Sequence, residues 1–456
     1  MLNKIKRPFQ NLSPTQFLVL SFAGIILIGA VLLSLPVASR SGQWTAFINS
    51  LFTATSATCV TGLVVFDTYQ YWSGFGQAVI LMLIQVGGLG LMTVATLLSF
   101  FIRRNISFKE RTFISQSLSL NELSGVVRLT KHILIGTLLF EGLGAIALSI
   151  RFIPEFGVAG GIIKGIFHSV SAFCNAGFDI MGQRAAFSSL TAYVSDITVN
   201  ITIMSLIVIG GLGFFVWEDL YNLVKRKRKL SVYSKLVIGI TACLIIGGAV
   251  LIFIFESNNP DTFGHLSPLG KVLASFFQSV TPRTAGYNTL NLVSQTDNTK
   301  ILQIFLMFIG GSSGSTAGGI KTVTFGILLL TIFQVARGRR DIVVLGRKVS
   351  NDNVLRAFTI AGIGFLLVIF GSLIISFIEP GNNIFLKSLY ECVSAFGTVG
   401  LSLGLTPSLS AVSKIILIML MYFGRVGILT ITFSIVMGHN RDKDKLSYPE
   451  SNLLVG

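Results

Sequence analysis

A short motif recurs four times along the chain, at intervals of about 113 residues. Each copy is a weakly polar run that ends in a glycine, and the copies align without gaps on these glycines. The aligned glycines are Gly62, Gly177, Gly286 and Gly400. Four copies of one unit predict a fold that is itself a fourfold repeat.

Each motif lies between two apolar stretches that are long enough to cross a membrane. The stretches lie near 14–36, 76–102, 130–152, 197–217, 234–255, 301–336, 357–378 and 411–437. The pattern predicts an all-α polytopic membrane protein with eight transmembrane helices, in which four helix–pore loop–helix repeats surround one pore with pseudo-fourfold symmetry. The predicted boundaries are 1–13 for the N-terminus, 14–103, 129–224, 233–336 and 355–437 for the repeats, and 438–456 for the C-terminal tail.

The composition supports a membrane protein, because only 12% of the residues are charged where a soluble chain has about 25%. Lysine and arginine concentrate in the two terminal segments and in 103–131, 225–235 and 337–356. The positive-inside rule then predicts that both termini are cytoplasmic. This topology explains the net charge of +16 without a nucleic-acid partner. The run KRKRK at 225–229 fits an anchor to anionic membrane lipid or a dock for a soluble partner.

The residues ahead of each glycine suit a helix that crosses only part of the membrane. About ten to twelve residues would form a helix roughly 15–18 Å long, and the chain must then return in an extended form. Extended backbone at membrane depth is tolerated where protein buries it or water reaches it. Its carbonyls can replace the water shell of a cation, and a glycine brings no side chain into the lumen. Four equivalent glycines indicate one ring of a cation filter; for a single loop, the alternative is a simple turn or helix cap.

These features resemble the Trk/Ktr/HKT superfamily of potassium transporters, and most closely its bacterial KtrB type. The resemblance covers nearly the entire chain. It is carried by Thr58–Leu63 (TCVTGL), Asn175–Phe178 (NAGF), Thr281–Asn288 (TPRTAGYN), Thr398–Ser402 (TVGLS) and the interrupted segment 309–321. It implies four M1-P-M2 repeats, a single pore and potassium uptake across the bacterial cell membrane. A serine in the first filter loop of that family is associated with sodium permeation, so Gly62 favours potassium. Sodium dependence and the choice between channel and symporter stay open.

The resemblance also implies the site residues and the partners. The filter would comprise Thr58, Cys59, Val60, Thr61, Gly62, Asn175, Ala176, Gly177, Thr284, Ala285, Gly286, Thr398, Val399 and Gly400. Potassium would be held at Val60, Thr61, Asn175, Ala176, Thr284, Ala285, Thr398 and Val399. The family further implies a homodimer and a cytosolic KtrA-like octameric RCK ring that binds ATP or ADP. No covalent cofactor is implied, and potassium, with sodium as a further candidate, is the transported ion.

The segment Ile309–Lys321 (IGGSSGSTAGGIK) interrupts an apolar stretch. A continuous helix over 301–336 would measure roughly 54 Å, against a hydrocarbon core of about 30 Å, so a break is expected here. A nucleotide-binding loop is excluded because Ile320 separates Gly319 from the lysine. The resemblance implies an intramembrane gating loop under the filter, and the alternative is a static kink. The gate would comprise Gly310, Gly311, Ser312, Ser313, Gly314, Ser315, Thr316, Ala317, Gly318, Gly319, Lys321 and Arg425.

Several charged residues lie in or beside the apolar segments, where a charge needs a partner. We expect Arg425 to bond the free carbonyls of the loop and to hold a closed state; the alternative is a pair with a buried carboxylate. Lys321 should lie at the end of the loop and extend its amine toward water. Arg283 and Glu391 are expected to pair behind the filter. Glu141 is expected to make an interhelical contact, with an ion-binding role as the alternative.

Two other classes of function are less consistent with the sequence. The stretch Gly400–Gly404 (GLSLG) fits the G-x-S-x-G pattern of hydrolases, but that pattern needs a strand before it and a helix after it. Secondary transporters with a mid-membrane site commonly have two repeats, whereas four loop-bearing units favour a pore. The sequence therefore predicts no catalytic residues and no enzyme activity.

Overall fold

The computed structural model describes residues 14–90, 126–227, 229–339, 341–428 and 430–431. These ranges are mostly helical, and the strands among them form one short hairpin. The helices are α1 (Pro14–Ser34), α2 (Phe47–Thr58), α3 (Thr68–Tyr71), α4 (Gly74–Leu89), α5 (Val126–Phe173), α6 (Ile197–Leu212), α7 (Phe214–Arg226), α8 (Val232–Glu256), α9 (Pro268–Val280), α10 (Asp297–Phe308), α11 (Thr322–Ala336), α12 (Asn351–Ile378), α13 (Ile384–Gly397) and α14 (Ala411–Val426). The hairpin pairs β1 (Val343–Val344) with β2 (Arg347–Lys348).

Several of these helices can cross a membrane by their length and composition. Four qualify within the described ranges: Thr15–Ser34, Thr130–Phe173, Val232–Glu256 and Asn351–Ile378. The second of these consists of two helices joined at a kink, where Gly157 has a φ of +73°. A fifth results if the bent pair Ile197–Leu212 and Phe214–Lys225 counts as one span. Many large apolar side chains on these helices are exposed, including Phe377 at 91%. Exposed apolar surface of this extent marks contact with lipid, so the chain is a multi-pass membrane protein.

The helices surround the four glycine-bearing loops. We call each of the four predicted repeats, 14–103, 129–224, 233–336 and 355–437, a quarter. Within a quarter, the long first helix packs on the short helix that leads into the loop, as α1 does on α2, α8 on α9 and α12 on α13. Between quarters, the helix after one loop packs on the short helix of the next, as α6 does on α9 and α10 on α13. The contact of α14 with α2 joins the last quarter to the first.

Buried apolar side chains support the loops from behind in two clusters. One cluster joins the first three quarters and includes Trp72, Phe178 and Tyr287. The other joins the first, third and fourth quarters and includes Phe52 and Tyr390. All five side chains are at most 1% exposed, and burying a large apolar side chain contributes roughly 1.5–3 kcal/mol. The loops are therefore held by a packed scaffold.

The helices that follow the loops end early, each at a glycine of positive φ. The helices α4, α6 and α14 stop before Gly90, Gly213 and Gly427, whose φ angles are +81°, +92° and +94°. A left-handed backbone at this point needs glycine, because other residues incur a steric cost. In the third quarter, α10 stops at Phe308 and the chain is non-helical until Thr322. The break thus covers the same residues as the predicted interruption.

Two predicted spans need correction. The expected continuous span 197–217 is wrong, because α7 leaves α6 at an angle of 96° after Gly213. The expected span 411–437 is interrupted at Gly427, where α14 ends, and Ile428, Thr430 and Ile431 beyond it are again helical. The parts of the predicted spans at 91–102 and 432–437 lie outside the described residues, as do the predicted terminal segments 1–13 and 438–456.

Candidate functional site

The four loops share one backbone conformation. Two positions before each aligned glycine, a non-glycine residue adopts a left-handed φ between +52° and +68°. These residues are Val60, Asn175, Thr284 and Thr398. The aligned glycines follow with φ between +67° and +93°. Left-handed backbone costs a non-glycine residue roughly 1–2 kcal/mol, so its recurrence at four equivalent positions indicates a shared requirement.

The loops meet in a closed ring at their glycines. A Cβ atom built on an aligned glycine would lie 2.2–2.4 Å from a backbone carbonyl oxygen of the following loop. The pairs are Gly62 with Ala176, Gly177 with Ala285, Gly286 with Val399, and Gly400 with Thr61. Each oxygen belongs to the residue just before the next aligned glycine, and the fourth loop meets the first. Any side chain at these positions would displace a carbonyl, so the ring requires glycine.

Hydroxyl groups in the short helices hold the ring backbone in place. Ser56 Oγ accepts a hydrogen bond from Gly62 N at 3.1 Å, and Ser394 Oγ accepts one from Gly400 N at 3.0 Å. In the second loop, Ser171 Oγ donates to Phe178 O at 2.8 Å. The third loop has Val280 at this position, and the neighbouring Thr281 Oγ1 donates to Tyr287 O at 2.5 Å. All four loops are thus anchored by a hydroxyl group.

Several residues predicted for the filter make defined contacts. The residues just before the glycines place their carbonyls against the ring, as described above. Asn175 and Thr284 are in contact with each other, 3.2 Å from the Asn175 amide to Thr284 Oγ1. Thr58 ends α2 and is followed by Cys59, and the Thr58 carbonyl faces Gly87 of α4. Thr58 therefore joins the first loop to its scaffold.

A water-accessible cavity of about 380 Å³ lies on one side of the ring. All four aligned glycines line it, together with two acidic residues, Asp67 and Asp179. Asp67 accepts hydrogen bonds from the amides of Tyr69 and Phe187, at 2.9 and 2.8 Å. Burial raises the pKa of Asp179, which lies outside the membrane-spanning helices, to about 6. Two carboxyl groups therefore face the cavity on this side of the ring.

The segment 309–321 forms a compact loop against the other side of the filter. Its ends are joined, because Gly310 N donates to Ile320 O at 2.8 Å. Thr316 Oγ1 donates to Phe173 O, at the end of α5, at 3.2 Å. A Cβ atom on Gly318 would lie 2.3 Å from Oγ1 of Thr398, a filter residue. The loop is therefore in direct contact with the second and fourth filter loops.

Neighbouring helices hold this loop at several points. Ser312 N and Oγ both donate to Gly211 O, at 3.0 and 3.1 Å. Gly314 O accepts from Phe214 N at 2.8 Å, and Ser313 O accepts from Tyr233 Oη at 2.9 Å. These bonds satisfy backbone groups that would be costly to bury alone. The second quarter and the start of α8 therefore support the loop on one side.

Arg425 supports the loop on the opposite side. Its guanidinium donates to the carbonyl of Thr316 and to the carbonyls of Gly87 and Gly88, the last at 3.1 Å. One side chain therefore connects the fourth quarter, the loop and the end of α4. The contact with the loop is the one expected from the sequence. The role of Arg425 in a closed state stays a prediction.

Lys321 and Glu141 make defined contacts within the protein. Lys321 lies at the end of the loop, as expected, and its Nζ donates to Ala317 O at 2.8 Å. That the amine also extends toward water stays a prediction. Glu141 of α5 accepts from Gln85 Nε2 of α4 at 3.2 Å, which is the expected interhelical contact.

The expected pair between Arg283 and Glu391 is wrong. Arg283 Nη2 donates to Thr322 Oγ1 at 3.3 Å, at the start of α11, and no ion pair involves either residue within the described ranges. Glu391 accepts instead from groups of its own quarter: Ser402 Oγ at 2.6 Å, Leu403 N at 3.1 Å, Leu405 N at 3.4 Å and Thr406 Oγ1 at 2.7 Å. Each charge thus finds hydrogen-bond partners nearer than the other charge.

Replacing Glu391 with alanine is expected to destabilise the fourth loop. The carboxylate is fully buried and is the acceptor for two hydroxyls and two amides. Buried donors left without an acceptor cost about 1–3 kcal/mol each. We expect a lower thermal unfolding temperature for the purified protein, measured by loss of monodisperse material on heating. Glu391→Gln, which keeps an acceptor oxygen, should lose less, and an unchanged unfolding temperature for Glu391→Ala would contradict the brace.

Several residues of the site escaped sequence reasoning. Asp67 and Asp179 line the cavity, and the available signal was their position shortly after an aligned glycine. Tyr233 and Phe214 bind the loop from outside it, and Thr322 Oγ1 donates to Gly310 O at 3.1 Å. Thr322 directly follows the loop, but no spacing in the sequence connects Phe214 or Tyr233 with it, because those contacts arise only from packing.

Comparisons with known proteins agree with this architecture. The profile of a family described as "TrkH: Cation transport protein" matches residues 4–445. The "Potassium/sodium uptake protein NtpJ" of Enterococcus hirae is 42% identical, over 99% of this chain and 99% of that protein. The "Ktr system potassium uptake protein B" of Bacillus subtilis is 38% identical, over 97% of each chain. The crystal structure of the potassium transporter TrkH from Vibrio parahaemolyticus has the same fold, with a TM-score of 0.70, 18% identity, and coverage of 91% of this chain and 83% of that one.

Proposed function

The chain belongs to the TrkH family of cation transport proteins, and from this membership we propose that it mediates potassium uptake through a gated, channel-like pore. The resemblance seen in the sequence is thereby confirmed, and the chain is a transporter and not an enzyme. Relatives named as Ktr system potassium uptake proteins support potassium as the transported ion.

The observation that carries the proposal is the closed ring of glycines and carbonyls. Thr61, Ala176, Ala285 and Val399 each present a carbonyl oxygen beside the glycine of a neighbouring loop. Rings of backbone carbonyls replace the hydration shell of a cation and so permit its selective passage. Potassium would be held by this ring of carbonyl oxygens. A second ring beside it would be formed by the backbone of Val60, Asn175, Thr284 and Thr398.

The ion path would run from the acidic cavity through the ring and then past the loop 309–321. The two aspartates raise the local concentration of cations at the mouth. The loop contacts the filter and is fixed by Arg425, which suits a gate in its closed position. Four M1-P-M2 repeats with eight transmembrane helices, related by pseudo-fourfold symmetry, account for the four equivalent loops and for the contact that joins the last quarter to the first. The basic segments favour cytoplasmic termini in the cell membrane.

A separate cytosolic subunit would regulate the gate. The Ktr system names of the relatives support such a subunit. We propose a KtrA-like octameric RCK ring that binds ATP or ADP and acts on a homodimer of this chain. The exposed basic residues of the hairpin β1–β2, Arg347 and Lys348, suit the docking of such a ring. Sodium is the second ion to test, because one relative is named a potassium/sodium uptake protein.

The experiment is rubidium-86 uptake by cells that lack their own potassium uptake systems. We expect the chain, expressed with its nucleotide-binding partner, to restore growth at low external potassium and to take up rubidium. Adding sodium to the medium shows whether uptake depends on it. No uptake with the partner present, from protein shown to be in the membrane, would overturn the proposed function and leave the fold untouched.

A further inference from the structure

We propose that α7 is an interfacial helix that binds anionic phospholipid and transmits its presence to the loop 309–321. The inference rests on the proposed function for the side of the membrane on which α7 lies and for the role of the loop. It adds a ligand, the anionic headgroup of the surrounding bilayer, and a route by which that ligand sets the gate.

The direction of α7 is that of a helix along the membrane surface. The preceding α6 has 16 residues, which corresponds to about 24 Å of a hydrocarbon core about 30 Å thick. After Gly213 the chain turns by 96°. α7 therefore runs nearly perpendicular to α6 and lies close to the membrane surface at which α6 ends. Trp217 fixes the bend, because its Nε1 donates to Ile209 O at 3.0 Å.

The exposed surface of α7 combines an apolar face with a basic end. Leu220, Leu223 and Val224 lie at helical spacing on one face and are 36%, 39% and 80% exposed. Tyr221, 44% exposed, lies beside them, and Lys225 Nζ lies over the Tyr221 ring, 5.0 Å from the ring centroid. The helix then runs into the sequence KRKRK at 225–229. An amphipathic helix with aromatic and aliphatic residues on one face and lysine beyond it suits the boundary between headgroups and acyl chains.

The opposite surface of α7 is tied to the protein. Glu218 Oε2 is 2.8 Å from His132 Nδ1 of α5. Asp219 accepts hydrogen bonds from the hydroxyls of Ser231 and Ser234, which fixes the turn between α7 and α8. With one surface used within the protein, the exposed apolar face is the one left for lipid.

The segment formed by α7 and the turn to α8 contacts the loop 309–321 at both of its ends. Phe214 N, at the start of α7, donates to Gly314 O at 2.8 Å. Tyr233 Oη, just beyond the turn, donates to Ser313 O at 2.9 Å. A ligand shifts a conformational equilibrium only through its differential affinity for the two states. Lipid that holds α7 in the observed position therefore also stabilises the observed position of the loop, which lies against the filter.

The test compares the full chain in vesicles of phosphatidylethanolamine with either phosphatidylglycerol or phosphatidylcholine. The variant replaces Lys225, Lys227 and Lys229 with glutamine. The matched control removes three exposed positive charges elsewhere on the same side, as R337Q, R339Q and R356Q. The readouts are potassium flux without and with the nucleotide-binding partner, and lipid binding to the purified chain by native mass spectrometry.

We expect wild-type potassium flux to be about fivefold lower in phosphatidylglycerol than in phosphatidylcholine. A change of about fivefold is the size of effect that one lysine contributes at an anionic surface. The lysine variant should show equal flux in both lipids and bind less phosphatidylglycerol, while the control behaves as wild type. Tyr233→Phe should bind lipid as wild type does but lose the lipid dependence of flux.

Three outcomes decide against parts of the proposal. Undiminished phosphatidylglycerol binding by the lysine variant would overturn the lipid site. A lysine variant that keeps the lipid dependence but no longer responds to the nucleotide-binding partner would identify the basic run as a protein dock and overturn the proposal. Lost binding with an unchanged flux ratio would overturn the transmission to the loop. Absence of wild-type flux in both lipids, even with the nucleotide-binding partner, would instead count against the proposed function, and the binding comparison would still decide the lipid site.

Discussion

Exchange of Gly62 for serine is expected to lower the preference for potassium over sodium by about tenfold. The new Cβ would lie 2.4 Å from the carbonyl oxygen of Ala176, and the backbone has a φ of +89°. The residue cannot relax without moving that carbonyl, and a left-handed non-glycine residue adds roughly 1–2 kcal/mol of strain. The displaced oxygen belongs to the ring that would coordinate the ion. The measurement is the ratio of potassium to sodium uptake in cells that lack their own systems.

The control for this variant is Gly42→Ser in the same quarter. Gly42 also has a positive φ, +67°, but a Cβ there would meet nothing within 4 Å. It carries the backbone strain without the collision, so we expect a potassium preference like that of the wild type. A Gly62→Ser protein that is present at normal levels and keeps the wild-type ion preference would show that the ring does not select the ion.

Arg425→Ala is expected to raise potassium flux in the resting state, without an activating partner, by tenfold or more. The substitution removes the donor shared by the carbonyls of Thr316, Gly87 and Gly88. Hydrogen bonds to a charged group contribute about 1.5–3 kcal/mol each, and 1.4 kcal/mol corresponds to a factor of ten in an equilibrium. The observed position of the loop should therefore lose its stability relative to a position that lets ions pass. Flux through reconstituted protein, with and without the nucleotide-binding partner, measures the effect.

Arg425→Lys separates the charge from the geometry. A single ammonium keeps the positive charge but lacks the planar fork that reaches carbonyls on two segments. We expect resting flux between those of the wild type and the alanine variant. If Arg425→Ala leaves flux unchanged under both resting and activating conditions, the arginine only fills space between the helices.

The positions of the four loops could be predicted because one physical requirement repeats in the sequence. A glycine is needed wherever a Cβ would strike the neighbouring loop, so Gly62 and its three equivalents stand out once the copies are aligned. The break at 309–321 was predictable for a related reason, since a helix through it would be too long for the membrane.

Other features could not be predicted, because they depend on which neighbour is nearest. Arg283 and Glu391 are opposite charges in adjacent quarters, yet Arg283 bonds Thr322 and Glu391 bonds the groups around Thr406. The turn at Gly213 was missed because VIGGLGF closely resembles QVGGLGL, and the glycine permits several directions of the following helix. The direction is set by Trp217 and by contacts with the loop, which only the folded chain reveals.

The ring of four loops is made by one chain, and this has a consequence for how such a pore can change over generations. In an assembly of four identical subunits, one altered codon alters all four sides of the pore at once. Here a single exchange touches one side, and the other three keep their glycines and carbonyls. The third loop already carries Val280 where its siblings carry serine, with Thr281 as its anchor. Mutation can therefore change one side of the pore at a time, and every copy of the protein in a cell has the same asymmetry.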